Sequence, residues 1–378
     1  MALNFCHDWT EKAGETGVTI RVAVIGATGV VGQQFLVALA HHPWFKVERL
    51  AASSRSAGKR YAEALRDPQS GASRWLVEVP LPEGYADITV EDAATFDPRG
   101  LGLVFTGIEE GEAARQLEPR LAQAVPVVST ASAFRMEPDV PLVVPYLNAD
   151  HLALVNKQRE HHGWKGFIVP IPNCTTTGLV ISLAPIVRTF GVQTALMVSL
   201  QALSGAGRSP GVSALDILDN VVPYIPREEE KVARETAKIL GKLRGGVIEP
   251  LPLPLSAICT RVNVRDGHTE AVFVSAAEAV TPEAARQAMT GFQGDCADLG
   301  LPSAPEQPIA VRDDPYRPQP RLDRDTGRGM TTVVGRIEAH DALPNGLKWV
   351  LVSHNTRMGA AQGAVLTAEL LAHQGYLQ

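Results

Sequence analysis

At 378 residues the chain exceeds what one hydrophobic core usually organises, so two domains are expected. Its 45% apolar and 20% charged residues exclude a fibrous or disordered polymer and describe a globular protein. A formal net charge of -6 excludes a general affinity for nucleic acid, which needs a concentrated basic face. No apolar run approaches the about 18 residues of a membrane span.

In chain order, residues 1–18 read as an extension: Asp8, Glu11, Lys12 and Glu15 interrupt any apolar stretch of the kind a secretory signal needs, so a cytoplasmic protein is expected. The first strong signal is the β-branched run Arg21 to Ile25. It breaks off at Gly26 and leads into a helix from Val30 to about Ala40, with Val31, Phe35, Leu36 and Leu39 on one face. A second strand, Val47 to Ala52, ends in the polar segment Ser53 to Lys59. Strand-like runs follow at Gly102 to Phe105, Pro126 to Val128 and Leu142 to Val144, and the charged segment Glu109 to Gln123 reads as a helix. This alternation predicts an α/β fold, with a doubly wound, Rossmann-like parallel sheet in the N-terminal part. Beyond Pro170 come Gly- and Pro-rich loops, an acidic helix from Arg227 to Leu240, and strands including Arg261 to Val264 and Glu270 to Ala276. These predict an α+β second domain. Pro302 to Arg328 reads as an ordered connection or arm, and Gly359 to Gly375 as a helix returning to the first domain.

Gly26, Gly29 and Gly32 have the GxxGxxG spacing of a dinucleotide turn, here directly after a strand and opening an amphipathic helix. Glycine lets the backbone turn sharply and lets a pyrophosphate approach the helix N-terminus. Thr28, Val30 and Val31 complete the loop. A fold that takes NAD usually closes its second strand with an acidic residue; this chain instead has Ser53, Ser54, Arg55 and Ser56. A guanidinium and hydroxyls suit a 2′-phosphate, so NADP is the expected cofactor. The alternative for Arg55 and Lys59 is an ordinary solvated loop.

The four cysteines, Cys6, Cys174, Cys259 and Cys296, form no pair or cluster with metal-ligand spacing, so neither a disulfide framework nor a metal site is expected. Cys174 stands apart because Asn173 and three threonines surround it at the start of a helical apolar run. The positive end of a helix lowers a thiol pKa and stabilises an oxyanion formed on attack at a carbonyl. A cysteine nucleophile joined to a nicotinamide domain implies thiohemiacetal or thioester chemistry coupled to hydride transfer. His268, on a turn between two strands, is the best candidate for the acid/base group.

Together these segments resemble the aspartate-semialdehyde dehydrogenase family, in particular its archaeal and fungal branch. The resemblance rests on the loop Gly26 to Gly32, on Pro172-Asn-Cys-Thr-Thr176, Gln201 to Gly207 and Leu215 to Asn220, and on Arg261 to Glu270 and Pro318 to Arg324. It implies that Cys174 is acylated, that His268 is the acid/base group and that Gln201 orients the acyl intermediate. It further implies that Arg261 pairs with the substrate carboxylate, Glu235 with its ammonium, and Arg135 and Lys238 with phosphate, while Asn355 contacts the nicotinamide end from the start of the last helix. Read without the resemblance, Glu235 and Lys238 are a solvated helix pair, Arg135 and Arg261 are ordinary ion-pair partners, and Asn355 is a helix cap.

The expected division is an extension over 1–18, an NADP-binding domain over 19–169 and 355–378, and a catalytic and dimerisation domain over 170–354. The expected partners are a small-molecule substrate and phosphate, with assembly as a homodimer or homotetramer. Two other functions fit less well. A malonyl- or succinyl-CoA reductase would share the loop and the cysteine, but would leave Glu235 without an amino group to face. An NADP-binding redox sensor would have no use for Gln201, Arg261 and His268.

Overall fold

The computed structural model describes residues 19–108, 111–207 and 211–377; the extension 1–18 and positions 109 and 110, where the helix expected up to Gln123 begins, lie outside the described residues. Six strands, β1 (Ile20–Ile25), β2 (Phe45–Ala52), β3 (Val90–Asp92), β4 (Leu103–Thr106), β5 (Val127–Ser129) and β6 (Ile168–Pro170), form one sheet in the order β3-β2-β1-β4-β5-β6. All five pairings are parallel. Parallel neighbours need crossovers, which α1 (Val30–Leu39), α2 (Tyr61–Ala64), α3 (Gly111–Ala122) and α4 (Leu154–His162) help to supply. The last four residues of β1 are fully buried, as expected for a strand covered on both faces.

The turn after β1 depends on two glycines. Gly26 has φ +80°, and a Cβ there would lie 2.7 Å from the carbonyl oxygen of Gly107. At Gly32 a Cβ would come within 2.2 Å of the Gly26 carbonyl oxygen, so only glycine lets α1 start this close to the strand.

The second half is built on another six-stranded sheet in the order β10-β7-β11-β14-β13-β12, from β7 (Val192–Gln201), β10 (Leu255–Arg261), β11 (His268–Ala276), β12 (Ile309–Arg312), β13 (Thr332–Ala339) and β14 (Gly346–Ser353). Here β10/β7 and β12/β13 are parallel and the other pairs antiparallel. One face is covered by α5 (Cys174–Phe190), which is apolar nearly all round and buried from Thr175 to Ile186. Trp349 Nε1 donates to Ser182 Oγ at 3.1 Å and ties that helix to β14. Next to α5 lie α7 (Glu228–Ile239) and α8 (Pro282–Thr290); short elements α6 (Ala214–Ile217), β8 (Lys242–Arg244), β9 (Val247–Glu249) and α9 (Pro320–Asp323) fill the connections. Leu196, Val198, Leu200 and Ile258 remain exposed on the other face.

The closing helix α10 (Ala361–His373) packs on α1, as expected from its sequence. Buried Glu369 fixes that return: it meets His42 Nε2 at 2.9 Å and accepts the Ser303 amide. Two expected strands are corrected. Leu142 to Val144 is buried but unpaired with the sheet, because Asn148 takes its hydrogen bonds, donating to Leu142 O and accepting from Val144 N, both at 2.9 Å. The strand expected at Arg261 to Val264 instead ends at Arg261, the last residue of β10. Past it, Val264 N bonds Val262 O at 2.8 Å and the chain turns away. The arm expected over Pro302 to Arg328 contains β12 and α9, held by fully buried Asp323, which receives Arg312, Arg317 and the Gln319 amide.

Candidate active site

Cys174 is the first residue of α5. Asn173 caps that helix, its Oδ1 accepting from the amides of Thr175 and Thr176 at 2.9 and 3.1 Å. Gly359 covers the cysteine so closely that a Cβ there would lie 2.7 Å from Cys174 Cβ. Across from it, His268 opens β11, fully buried, with Nε2 3.2 Å from Cys174 Sγ. The Ala202 amide donates to His268 Nδ1 at 3.1 Å. A neutral imidazole carries one proton, so this bond assigns it to Nε2 and turns the N–H toward the sulfur.

Arg261 Nη1 donates to the carbonyl of the same Ala202 at 2.7 Å. One residue, Ala202, therefore ties the guanidinium to the imidazole that faces the thiol. Gln201 lies opposite Arg261 in the β7/β10 register and is buried, with Nε2 3.2 Å from Ser199 Oγ. Gly205 leaves room above the group: a Cβ there would stand 3.0 Å from both Arg261 Nη1 and His268 Cε1.

Burial sets the resting charge state. It lowers the His268 pKa to about 3, helped by Arg261 and His354. Burial also pushes the Cys174 thiol up to about 12, with Glu228 adding to it and Arg261, Arg135 and the Thr175 amide opposing. The lowered thiol pKa expected from the helix end is therefore not found in the unliganded protein: the Thr175 amide opposes the rise, but desolvation outweighs it.

The residues expected to hold phosphate and ammonium are already paired to one another. Glu235 accepts from Arg135 Nη1 at 3.0 Å and from the Asn173 amide at 2.7 Å, and Arg135 Nη2 donates to Thr130 O. Lys238, the other residue expected to hold phosphate, has partners of its own in the unliganded protein. Its buried ammonium donates to the carbonyls of Arg135, Glu137 and Val140 at 2.8, 2.9 and 2.7 Å, which uses all three of its protons. In this state Lys238 ties down the loop that carries Arg135. Lys238→Met is expected to lower stability by roughly 2–4 kcal/mol in denaturant titrations, because three buried carbonyls lose their donor. Unchanged stability with lost phosphate affinity would restore the phosphate role.

One residue of this site was not legible as such. Glu228, in the run Glu228-Glu229-Glu230, looks like part of a solvated acidic helix. It is buried, and its Oε1 accepts from Asn173 Nδ2 at 2.8 Å and Thr175 Oγ1 at 3.3 Å. It thereby holds the cap of the cysteine helix from below. Glu228→Gln keeps an acceptor but removes the charge that raises the thiol pKa. Alkylation of Cys174 by iodoacetamide below pH 9 is therefore expected to speed up roughly threefold to tenfold. An unaltered pH profile would reduce Glu228 to a packing role.

At the far end of the β1 turn, a cavity of about 170 Å³ is lined by Thr28, Ser53, Arg55, Ser56, Lys59, Arg66 and Arg74. Arg66 and Arg74 come from the segment after α2 and were missed by the sequence reading; a basic pair near the loop is the one signal they carry. Buried Gln33 clamps that segment to the turn, donating to Thr28 O and Arg74 O and accepting from Leu76 N. Four cations around one concave site fit a dinucleotide phosphate group. Val30 and Val31 open α1, and Val31 lies against Gly107. Asn355 is neither at the start of the last helix nor its cap, since α10 begins at Ala361 with Ala360 as N-cap. Its side chain bridges loops instead, accepting from Gly267 N at 2.9 Å and donating to Ser204 Oγ at 2.8 Å.

A glycine turn suited to a dinucleotide, in a chain whose second sheet sets a histidine beside a cysteine, points to the class of nicotinamide-dependent dehydrogenases. Family models agree: the semialdehyde dehydrogenase NAD binding domain matches residues 21–155 and the semialdehyde dehydrogenase dimerisation domain residues 183–358. The aspartate-semialdehyde dehydrogenase of Methanothermobacter thermautotrophicus is 45% identical over 355 residues, covering 93% of this chain and 99% of the relative. That of Candida albicans is 44% identical over 369 residues, covering 93% and 97%. A crystal structure of the Candida albicans enzyme with NADP superposes with TM-score 0.83 at 41% identity, over 94% of this chain and 99% of that one. The chain belongs to the aspartate-semialdehyde dehydrogenase family. Among the described residues no helix is long and apolar enough to cross a membrane.

Proposed function

We propose that this chain catalyses the NADPH-dependent reductive dephosphorylation of L-aspartyl 4-phosphate to L-aspartate 4-semialdehyde through a thioacyl intermediate on Cys174, in the aspartate-derived route to lysine, threonine and methionine. The observation that carries this reading is the 3.2 Å approach of His268 Nε2 to Cys174 Sγ at the capped start of α5. The sulfur attacks the acyl carbon, the carbon–oxygen bond to phosphate breaks, and the thiol proton leaves with the phosphate. No vacant ring nitrogen is needed for that step, which suits a histidine whose Nδ1 already accepts the Ala202 amide. Bound NADPH supplies a hydride. His268 Nε2–H then donates a hydrogen bond to the oxyanion at the former acyl carbon and, as the carbon–sulfur bond breaks, to the departing thiolate, which regains its proton from water. Arg261 takes the substrate carboxylate and Gln201 orients the acyl group. Glu235 and Arg135, 3.0 Å apart in the unliganded protein, exchange their mutual bond for the ammonium and the phosphoryl group.

For the cofactor, the reading rests on the cations around Thr28 and Ser53, and the Candida albicans relative was crystallised with NADP. Arg55→Ala is expected to weaken NADP roughly tenfold or more and NAD hardly at all, because only NADP offers the phosphate that a guanidinium clamps. Equal losses in fluorescence titrations of both would remove Arg55 from the site. We assign residues 19–169 and 355–378 to cofactor binding and 170–354 to catalysis and dimerisation. The exposed Leu196, Val198, Leu200 and Ile258 are the natural contact between two copies in a homodimer or homotetramer. The test of the whole reading follows NADPH formation from aspartate semialdehyde with phosphate, then with CoA in its place. A preference for CoA would make the chain a CoA-thioester reductase.

A further inference from the structure

Away from the cysteine, three side chains from two segments converge on one point. His161 and His162 end α4, and Asp139 lies in the loop that runs on from Arg135. Asp139 Oδ2 is 2.9 Å from His161 Nδ1 and 3.0 Å from His162 Nε2. Adjacent histidines normally point to different sides of a helix. Here the helix ends at Gly163 in a left-handed turn, and the pair uses different ring nitrogens to reach the same oxygen.

The geometry points to a divalent-cation site of the zinc class, formed by Asp139, His161 and His162 with water completing the shell. Two imidazole nitrogens and a carboxylate oxygen are a donor set for zinc and its late first-row neighbours, whereas magnesium and calcium favour all-oxygen shells. The three ligand atoms lie within 4.8 Å of one another, so an ion seated among them requires only small side-chain adjustments.

Contacts independent of the carboxylate hold two of the three ligands. The His162 ring stacks on Trp164 at 4.2 Å between centroids and 17° between planes. The backbone of Asp139 is held to α4, one turn before the histidines, by buried Gln158, whose Nε2 donates to Asp139 O at 3.3 Å; Gln158 also binds both the amide and the carbonyl of Ile168 in β6. With these held, the donors need little ordering when an ion arrives. Binding displaces any proton shared between imidazole and carboxylate, and no redox change is involved.

The position gives the ion a consequence. Asp139 lies between Glu137 and Val140, whose carbonyls, with that of Arg135, hold Lys238. An ion here therefore staples α4 to the loop that presents Arg135 to the active site.

The test uses the full-length, metal-stripped protein and zinc alone, titrated against a chromophoric chelator, with Asp139→Asn, His161→Ala and His162→Ala beside the wild type. Thiol-bound zinc persists in all four proteins and so cancels from the comparison. The expected result is one equivalent of zinc in the wild type that each variant binds at least about tenfold more weakly. Zinc should also raise the melting temperature of the wild type but not of the variants, and the site-specific cobalt(II) spectrum should lack thiolate charge transfer. Equal zinc affinity in wild type and His162→Ala, or a spectrum fully explained by thiolates, would overturn the site. The measurements read metal and stability, so they do not depend on the substrate proposed above.

Discussion

Replacing Cys174 by serine is expected to reduce turnover by about 10⁴-fold or more while leaving NADP affinity within about twofold, as measured by steady-state assay and fluorescence titration. The serine hydroxyl has the same place at the start of α5, under Gly359 and opposite His268. What it lacks is acidity and nucleophilicity. A group that could deprotonate a serine would need a vacant nitrogen, and the Ala202 amide already occupies His268 Nδ1, leaving Nε2 as the donor. The cofactor cavity around Thr28, Ser53 and Arg55 is formed by other elements, so the substitution leaves it intact. Activity within tenfold of wild type would end the covalent mechanism and with it the thioacyl intermediate.

The second large effect is expected for His268→Asn, a loss of about 10²–10⁴-fold in kcat with little change in KM, because the donor toward sulfur and oxyanion goes while the binding groups stay. A rise in KM alone would recast His268 as a binding residue. This variant also carries a pH signature. Folding lowers the His268 pKa from an ordinary 6.5 to about 3, so between those values the unfolded chain binds a proton that the folded one refuses. Stability attributable to this residue is therefore complete above about pH 6.5 and falls as the pH drops toward 3. His354 is shifted the same way, to about 4, and persists in the variant. Compared with wild type, His268→Asn should thus lose stability less steeply on acidification. Parallel acid limbs in urea titrations would contradict a buried, neutral imidazole.

The pairing of Cys174 with His268 shows how far sequence reasoning reaches. Both were readable one at a time, the cysteine from its polar neighbours at a helix start and the histidine from its place between strand patterns. Their 3.2 Å approach was not, because it spans 94 residues of chain and depends on α5 packing against β11.

The N-terminal sheet was the more legible half. A β-branched run, a glycine turn and a helix repeat are local signals, and local signals survive without knowledge of the fold. Leu142 to Val144 failed for a related reason: its composition is that of a buried strand, but the side chain of Asn148 outcompeted any sheet partner for its backbone. In the C-terminal half the strands take their meaning from partners far away in sequence.

By itself, then, the sequence determined the dinucleotide turn, the cysteine at a helix start and the parallel sheet, since each follows from residue type at short range. Only the tertiary structure decided which charges face one another. Lys238 and Glu228 both read as solvated positions on an acidic helix, yet one spends its ammonium on three loop carbonyls and the other holds Asn173. The same holds for Asp139, whose link to His161 and His162 spans 22 and 23 residues. Burial and pairing are long-range properties: a charged side chain has the same helix propensity in either setting, and only packing determines whether water or protein solvates it.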